Sequence, residues 1–181
     1  MKGKCFWQAV LVGLLVLAVS TGALSQTPKH VLFRGLISDY TPRSIGGQVV
    51  GPWEMRGVWS LAVKRWNGKA DFSASMAMGH SDLGVTGGDL ESPSARGAHT
   101  HHITMVDATV TPLTNGFRVS GPVIVTGNGT FPAPFGPNST LQVDITGGNS
   151  VAYSNIQLTF TGDATKHFGS QPINGVVRRF D

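Results

Sequence analysis

The chain of 181 residues combines 24 glycines and 10 prolines with a charged fraction of only 13%, a composition of short strands and tight turns rather than of long helices. Its formal charge of +4 is scattered singly apart from Lys64-Arg65 and Arg178-Arg179, so no basic stripe is offered to nucleic acid. The single cysteine excludes a disulfide scaffold and a thiolate metal set.

Residues 1–25 read as a signal peptide. Lys2 and Lys4 form a positive start, Ala9 to Val19 form an apolar run too short to span a bilayer comfortably, and Ala23-Leu24-Ser25 supplies small residues for cleavage near Gln26. Cys5 precedes the apolar run, so it leaves with the leader and takes thiol nucleophiles with it. Loss of the two lysines lowers the formal charge from +4 to +2. The expectation is a secreted or periplasmic protein with one domain, 26–181, and no stable membrane insertion after cleavage.

Val31 to Ile37 is the first expected strand. Asn67-Gly68 then separates two alternating runs, and Asn-Gly suits a turn whose two central residues need positive φ. A two-residue loop pairs Trp66 with Lys69, which sets Trp59 opposite Met76, Leu61 opposite Ala74 and Val63 opposite Phe72. The other face then carries Lys64 against Asp71 and Ser60 against Ser75. A slip of one residue puts serines in the core.

Gly79-His80-Ser81-Asp82 places His, Ser and Asp side by side, but a catalytic triad is assembled in space and neighbours on a chain point apart. The Gly-x-Ser-x-Gly elbow fails at Leu83, so serine hydrolase chemistry is not supported.

Arg96 to His102 reads Arg-Gly-Ala-His-Thr-His-His and holds half of the six histidines at the head of a strand pattern. Alternation puts His99 and His101 on the face of Ile103 and Met105, while Thr100, His102 and Thr104 face away. Asn115-Gly116 is expected to turn this strand into Phe117 to Thr126, with Pro112 and Pro122 implying a bulge or an edge. The loop from Gly127 to Asn138 carries Phe131 and Phe135, suited to a lid or a plug, and sequons at Asn128 and Asn138.

Leu141, Val143 and Ile145 then alternate into a turn at Gly147-Gly148, followed by Ala152, Ser154, Ile156, Leu158 and Phe160. Ile173 to Phe180 is the last expected strand. The fold class is all-β, a single antiparallel β-barrel of about eight strands, with a β-sandwich as the alternative; closure removes both edges and is favoured.

Gly57-Val58-Trp59 at the start of a strand, together with Arg178 and Arg179 near the end, resembles the Gly-x-Trp and late arginine of lipocalin-like (calycin) barrels. In that family the arginine packs across the tryptophan and closes one end. The pattern departs from the family in three respects. A candidate strand precedes the Gly-x-Trp, Ser38-Asp39-Tyr40 stands where no Thr-Asp-Tyr motif is found, and the usual disulfide is absent. Secreted barrels similar to allene oxide cyclase fit equally. Either resemblance implies a ligand cup.

Two kinds of site follow. A small apolar or amphipathic molecule would sit in a cup lined by Trp59, Leu61, Val63, Phe72, Met76 and Met105, with histidines at its mouth. In the second, His99 and His101 form half of a zinc or copper site, needing His80 or His167 as a third ligand, with Asp82, Asp107 and Asp163 as ligands or hydrogen-bond acceptors. The site would then serve an enzyme that activates water or oxygen, or one imidazole would work as acid or base. The plain alternative is a histidine pair bonded to Ser, Thr or backbone. His30, near the start of the domain, is read as solvated.

Overall fold

Side chains that alternate between apolar and polar make strands, because successive residues of an extended chain face opposite ways. The computed structural model describes residues 30–45, 48–65, 67–80, 96–127, 138–147 and 155–180. Among them nine strands form in chain order: β1 (His30–Ile45), β2 (Gln48–Lys64), β3 (Lys69–His80), β4 (Arg96–Leu113), β5 (Gly116–Pro122), β6 (Ile124–Gly127), β7 (Thr140–Thr146), β8 (Asn155–Thr161) and β9 (Ile173–Phe180). A short helix, α1 (Thr165–Phe168), follows a 3-10 turn at Gly162–Ala164. No helix among the described residues is long and apolar enough to cross a membrane.

The strands form one sheet in the order β3-β2-β1-β9-β8-β7-β5-β4, and pairing of β3 with β4 closes it into an eight-stranded antiparallel barrel. β6 is an extra strand that pairs with the first half of β4. Closure decides against the sandwich and leaves a single interior, filled by side chains such as Met55, Leu61, Phe72, Ile103, Val143 and Leu158. A closed eight-stranded barrel is also the architecture that the lipocalin-like resemblance implies.

The first strand is longer than its apolar stretch. β1 and β2 pair from His30 with Lys64 to Ile45 with Gln48, so Gly57 and Trp59 lie well inside β2 rather than at a strand's start. Trp59 is buried against Gly35, its partner across β1, and stacks on Phe72 at 6.4 Å. A Cβ on Gly35 would lie 2.8 Å from the indole and 1.9 Å from the Val176 carbonyl oxygen, so only glycine admits both neighbours.

The β2–β3 hairpin keeps the expected faces but not the expected partners. Lys64 pairs with Lys69, Leu61 with Phe72 and Trp59 with Ala74, two residues out of the two-residue-loop register. A shift of two leaves every side chain on its own face, so alternation cannot tell the two registers apart. One local and one long-range contact hold the longer loop: Asn67 Oδ1 accepts from the Lys69 N–H at 3.1 Å, and the Gly68 carbonyl accepts from the Val110 N–H of β4 at 2.9 Å. The Lys64–Asp71 contact forms diagonally, at 2.9 Å.

The next hairpin behaves similarly. Leu113 pairs with Gly116 across a turn at Thr114 and Asn115, so Gly116 is a strand residue rather than a turn residue. Pro112 stays paired, with Phe117, whereas β5 and its pairing with β7 end at Pro122, opposite Thr140. The β3–β4 register shifts at two places, between Met78 and His80 and again opposite Asp107, whose φ of 53° marks a bulge. Asp107 donates its N–H to Asp71 Oδ1 at 2.9 Å and its carboxylate pairs with Lys64, which holds the bulge in place. Its consequence is a change of parity. His99, His101, Ile103 and Met105 face inward before it, and Ala108 faces inward after it. The leader (1–25), Asp82, the Phe131–Phe135 loop, Asn128 and Ala152–Ser154 lie outside the described residues. The β7–β8 pair carries the expected faces, with Ile145 opposite Ile156 and Val143 opposite Leu158.

Candidate metal centre

Two of the three rings at the site come from one strand. His99 and His101 take the parity of Ile103 and Met105, both fully buried, and so enter the barrel near the end where β4 begins. His102 has the opposite parity and is exposed.

The third ring arrives from the connection between β8 and β9. Gly162, at φ 69°, breaks the extended chain, and the Ala164 N–H donates to Ser139 Oγ at 3.0 Å. Thr165 Oγ1 donates to the Gly162 carbonyl at 2.7 Å, and Lys166 pairs with Asp163 at 2.8 Å. Gly169, at φ 73°, ends the helix and donates its N–H to the Thr165 carbonyl at 3.0 Å. Phe168 stacks on Phe160 at 4.3 Å and 13°, which anchors α1 in the barrel end and turns His167 toward the other two rings.

The Nε2 atom of His167 lies 3.0 Å from Nε2 of His99 and 2.9 Å from Nε2 of His101. The donor atoms of all three rings fall within 4.8 Å of one another, and all three residues are buried. Trp53 packs 6.3 Å from His99 and from His167, and Phe168 packs 4.9 Å from His101 and from His167, so aromatic faces enclose the cluster.

Protonation follows from this enclosure. Burial, then the neighbouring His167 and His99, hold His101 down at about 3, with a hydrogen bond to the Thr126 backbone acting the other way. His167 is lowered to about 4 by burial and then by His99. Both rings are therefore neutral near pH 7, the form in which imidazole donates a lone pair to a metal. A neutral Nε2 offers one proton or one lone pair, so His167 Nε2 can satisfy only one of its two nitrogen neighbours well by hydrogen bonding. One cation takes all three lone pairs together. Nitrogens each about 2.0–2.1 Å from one ion stand roughly 3 Å apart, the separation found in both pairs that involve His167.

The same depressed values set a pH dependence for the metal-free protein. Unfolded histidines bind protons near pH 6.5 while the folded rings resist until about 3 and about 4. The unfolded state thus holds more protons through that window, and stability should fall as pH drops from about 6.5 toward 4. Urea unfolding of metal-free protein at pH 7.5 and pH 5 checks this. The expected loss at pH 5 should shrink in a His101→Asn variant, and an equal loss in both would refute the assignment.

Of the four expected ligands, His99, His101 and His167 are brought together, while the His80 side chain lies outside the described set. Two expected carboxylates are engaged elsewhere: Asp107 in the bulge with Lys64, and Asp163 with Lys166 on the surface. His30 is exposed at the head of β1. Trp59, Leu61, Phe72, Met76 and Met105 are buried in the core cluster, and Val63 is partly buried against it. Sequence reasoning missed Trp53 and Phe168. Trp53 continues the inward series Met55, Gly57, Trp59, and Phe168 adjoins His167 between two glycines, so both carried a signal. No protein-family model, curated protein or solved structure matches the chain.

Proposed function

We propose that this is an exported metal-binding β-barrel in which His99, His101 and His167 hold one zinc or copper ion through Nε2 and hand its remaining coordination to a small molecule at the barrel mouth. One observation carries the reading: three buried histidines from two segments far apart in the chain bring their ring nitrogens within 4.8 Å of one another, with His167 Nε2 2.9–3.0 Å from Nε2 of the other two. Three protein ligands are the set of catalytic metal sites, whereas structural zinc sites use four, which favours a centre that binds or activates something. With zinc the ion would lower the pKa of a bound water; the chain's part is to keep the rings neutral and dry. Trp59, Leu61, Phe72, Met76 and Met105 pack together in the filled interior, so a small molecule would meet the ion at the mouth without displacing them. The leader pattern over 1–25 supports export.

The test is metal analysis of untagged mature protein, followed by equilibrium dialysis of the stripped protein against zinc and copper. One equivalent is expected, lost in His99→Ala and in His101→Ala while each variant keeps its strand-type circular dichroism. Wild-type protein with no stoichiometric metal from either bath would overturn the reading.

A further inference from the structure

The methionines of the barrel are confined to one wall. Met55, Met76, Met78 and Met105 are all buried, and they lie on β2, β3 and β4. The wall formed by β7 and β8 is built instead from branched aliphatic residues such as Val143, Ile145, Ile156 and Leu158. The placement relative to the histidines is specific. Met76 is the cross-strand partner of His101, Met78 is the partner of His99, and Met55 is the partner of Met78 on the other side. Opposed residues on one face of antiparallel strands have Cβ atoms about 4.5–5.5 Å apart, and the unbranched thioether has three rotatable bonds with which to reach across.

We propose, resting on the metal-binding reading above, that the centre is selective for copper(I), with a thioether of the Met76–Met78 pair joining the three imidazoles. Zinc makes no use of a thioether, whereas copper(I) is soft and takes thioether sulfur together with imidazole nitrogen. Packing alone would be served by leucine or isoleucine at these positions, as it is across the barrel. Yet on the β3 side both cross-strand neighbours of the inward histidines carry sulfur. A weak, long sulfur bond from the wall is compatible with three short nitrogen bonds and leaves the mouth side free.

The experiment titrates stripped, mature protein anaerobically with copper(I), using bicinchoninate as competitor, and separately with zinc. Wild type is compared with Met76→Leu, Met78→Leu and the double variant. Leucine nearly conserves volume, so the barrel should stay folded, which thermal melting verifies. Copper(I) affinity is expected to fall at least about tenfold in the double variant, the scale on which contacts around a metal act, with zinc affinity unchanged. X-ray absorption of the copper(I) form should show a sulfur scatterer in wild type that the double variant lacks. Copper(I) affinity that is insensitive to both leucines, or a shell of nitrogen only, would overturn the selectivity and leave the three-histidine site standing. Failure of wild type to bind either metal would remove the metal-binding reading itself.

Discussion

His167→Ala is expected to weaken zinc and copper binding by more than about 100-fold, beyond the loss that changes around a metal's ligands produce. The two remaining rings, His99 and His101, stay on β4, but two nitrogens from one strand leave the ion half solvated in a site walled by Trp53 and Phe168. The effect should also be visible as stability. His101 and His167 are 66 residues apart in sequence, so the unfolded chain does not gather them and the ion binds the folded state. A metal present at 100 times its dissociation constant adds about 2.7 kcal/mol by mass action. Differential scanning calorimetry with and without zinc should therefore show an upward shift in wild type and none in His167→Ala. A shift of equal size in both proteins would mean that the ion sits elsewhere.

Phe168→Ala should cost about 3–5 kcal/mol of stability, the usual loss for a buried phenylalanine that the surroundings cannot refill. Phe168 is fully buried, stacks on Phe160 at 4.3 Å and lies against both His101 and His167. α1 has only four residues and no side-chain cap, so it has little stability of its own, and Phe168 is its most deeply buried side chain. Metal affinity should fall with stability, because the ring that aims His167 is gone. Urea unfolding and metal titration of the same sample test both. A drop in stability with undiminished affinity would show that α1 is positioned by something other than Phe168.

Faces were legible in the sequence to a degree that partners were not. Alternation alone assigns Leu61, Phe72, Ile103, Val143 and Leu158 to the interior, and burial follows that assignment. It is blind to even-numbered slips, and so Trp59 meets Ala74 rather than Met76. The bulge at Asp107 was blurred for another reason. The prolines at 112 and 122 drew attention to themselves, but the register changes where an aspartate can accept a left-handed conformation and be tied by Lys64 and Asp71. At the site, the His99–His101 pair follows from parity alone, and His167 was one of two candidates for the third place. What chose it was a turn of helix between Gly162 and Gly169 that is too short to give a periodic signal and depends on the contact between Phe168 and Phe160.

The three rings do not stand on equal footing. Two ride on an 18-residue strand gripped along both margins, and the third rides on a connection of a few residues that rests against the barrel's end. Departure of an ion should therefore be sequential, with His167 letting go first as the connection swings out, and the rate should follow that local excursion rather than global unfolding. A strong chelator would then empty the centre in far less time than the barrel takes to come apart.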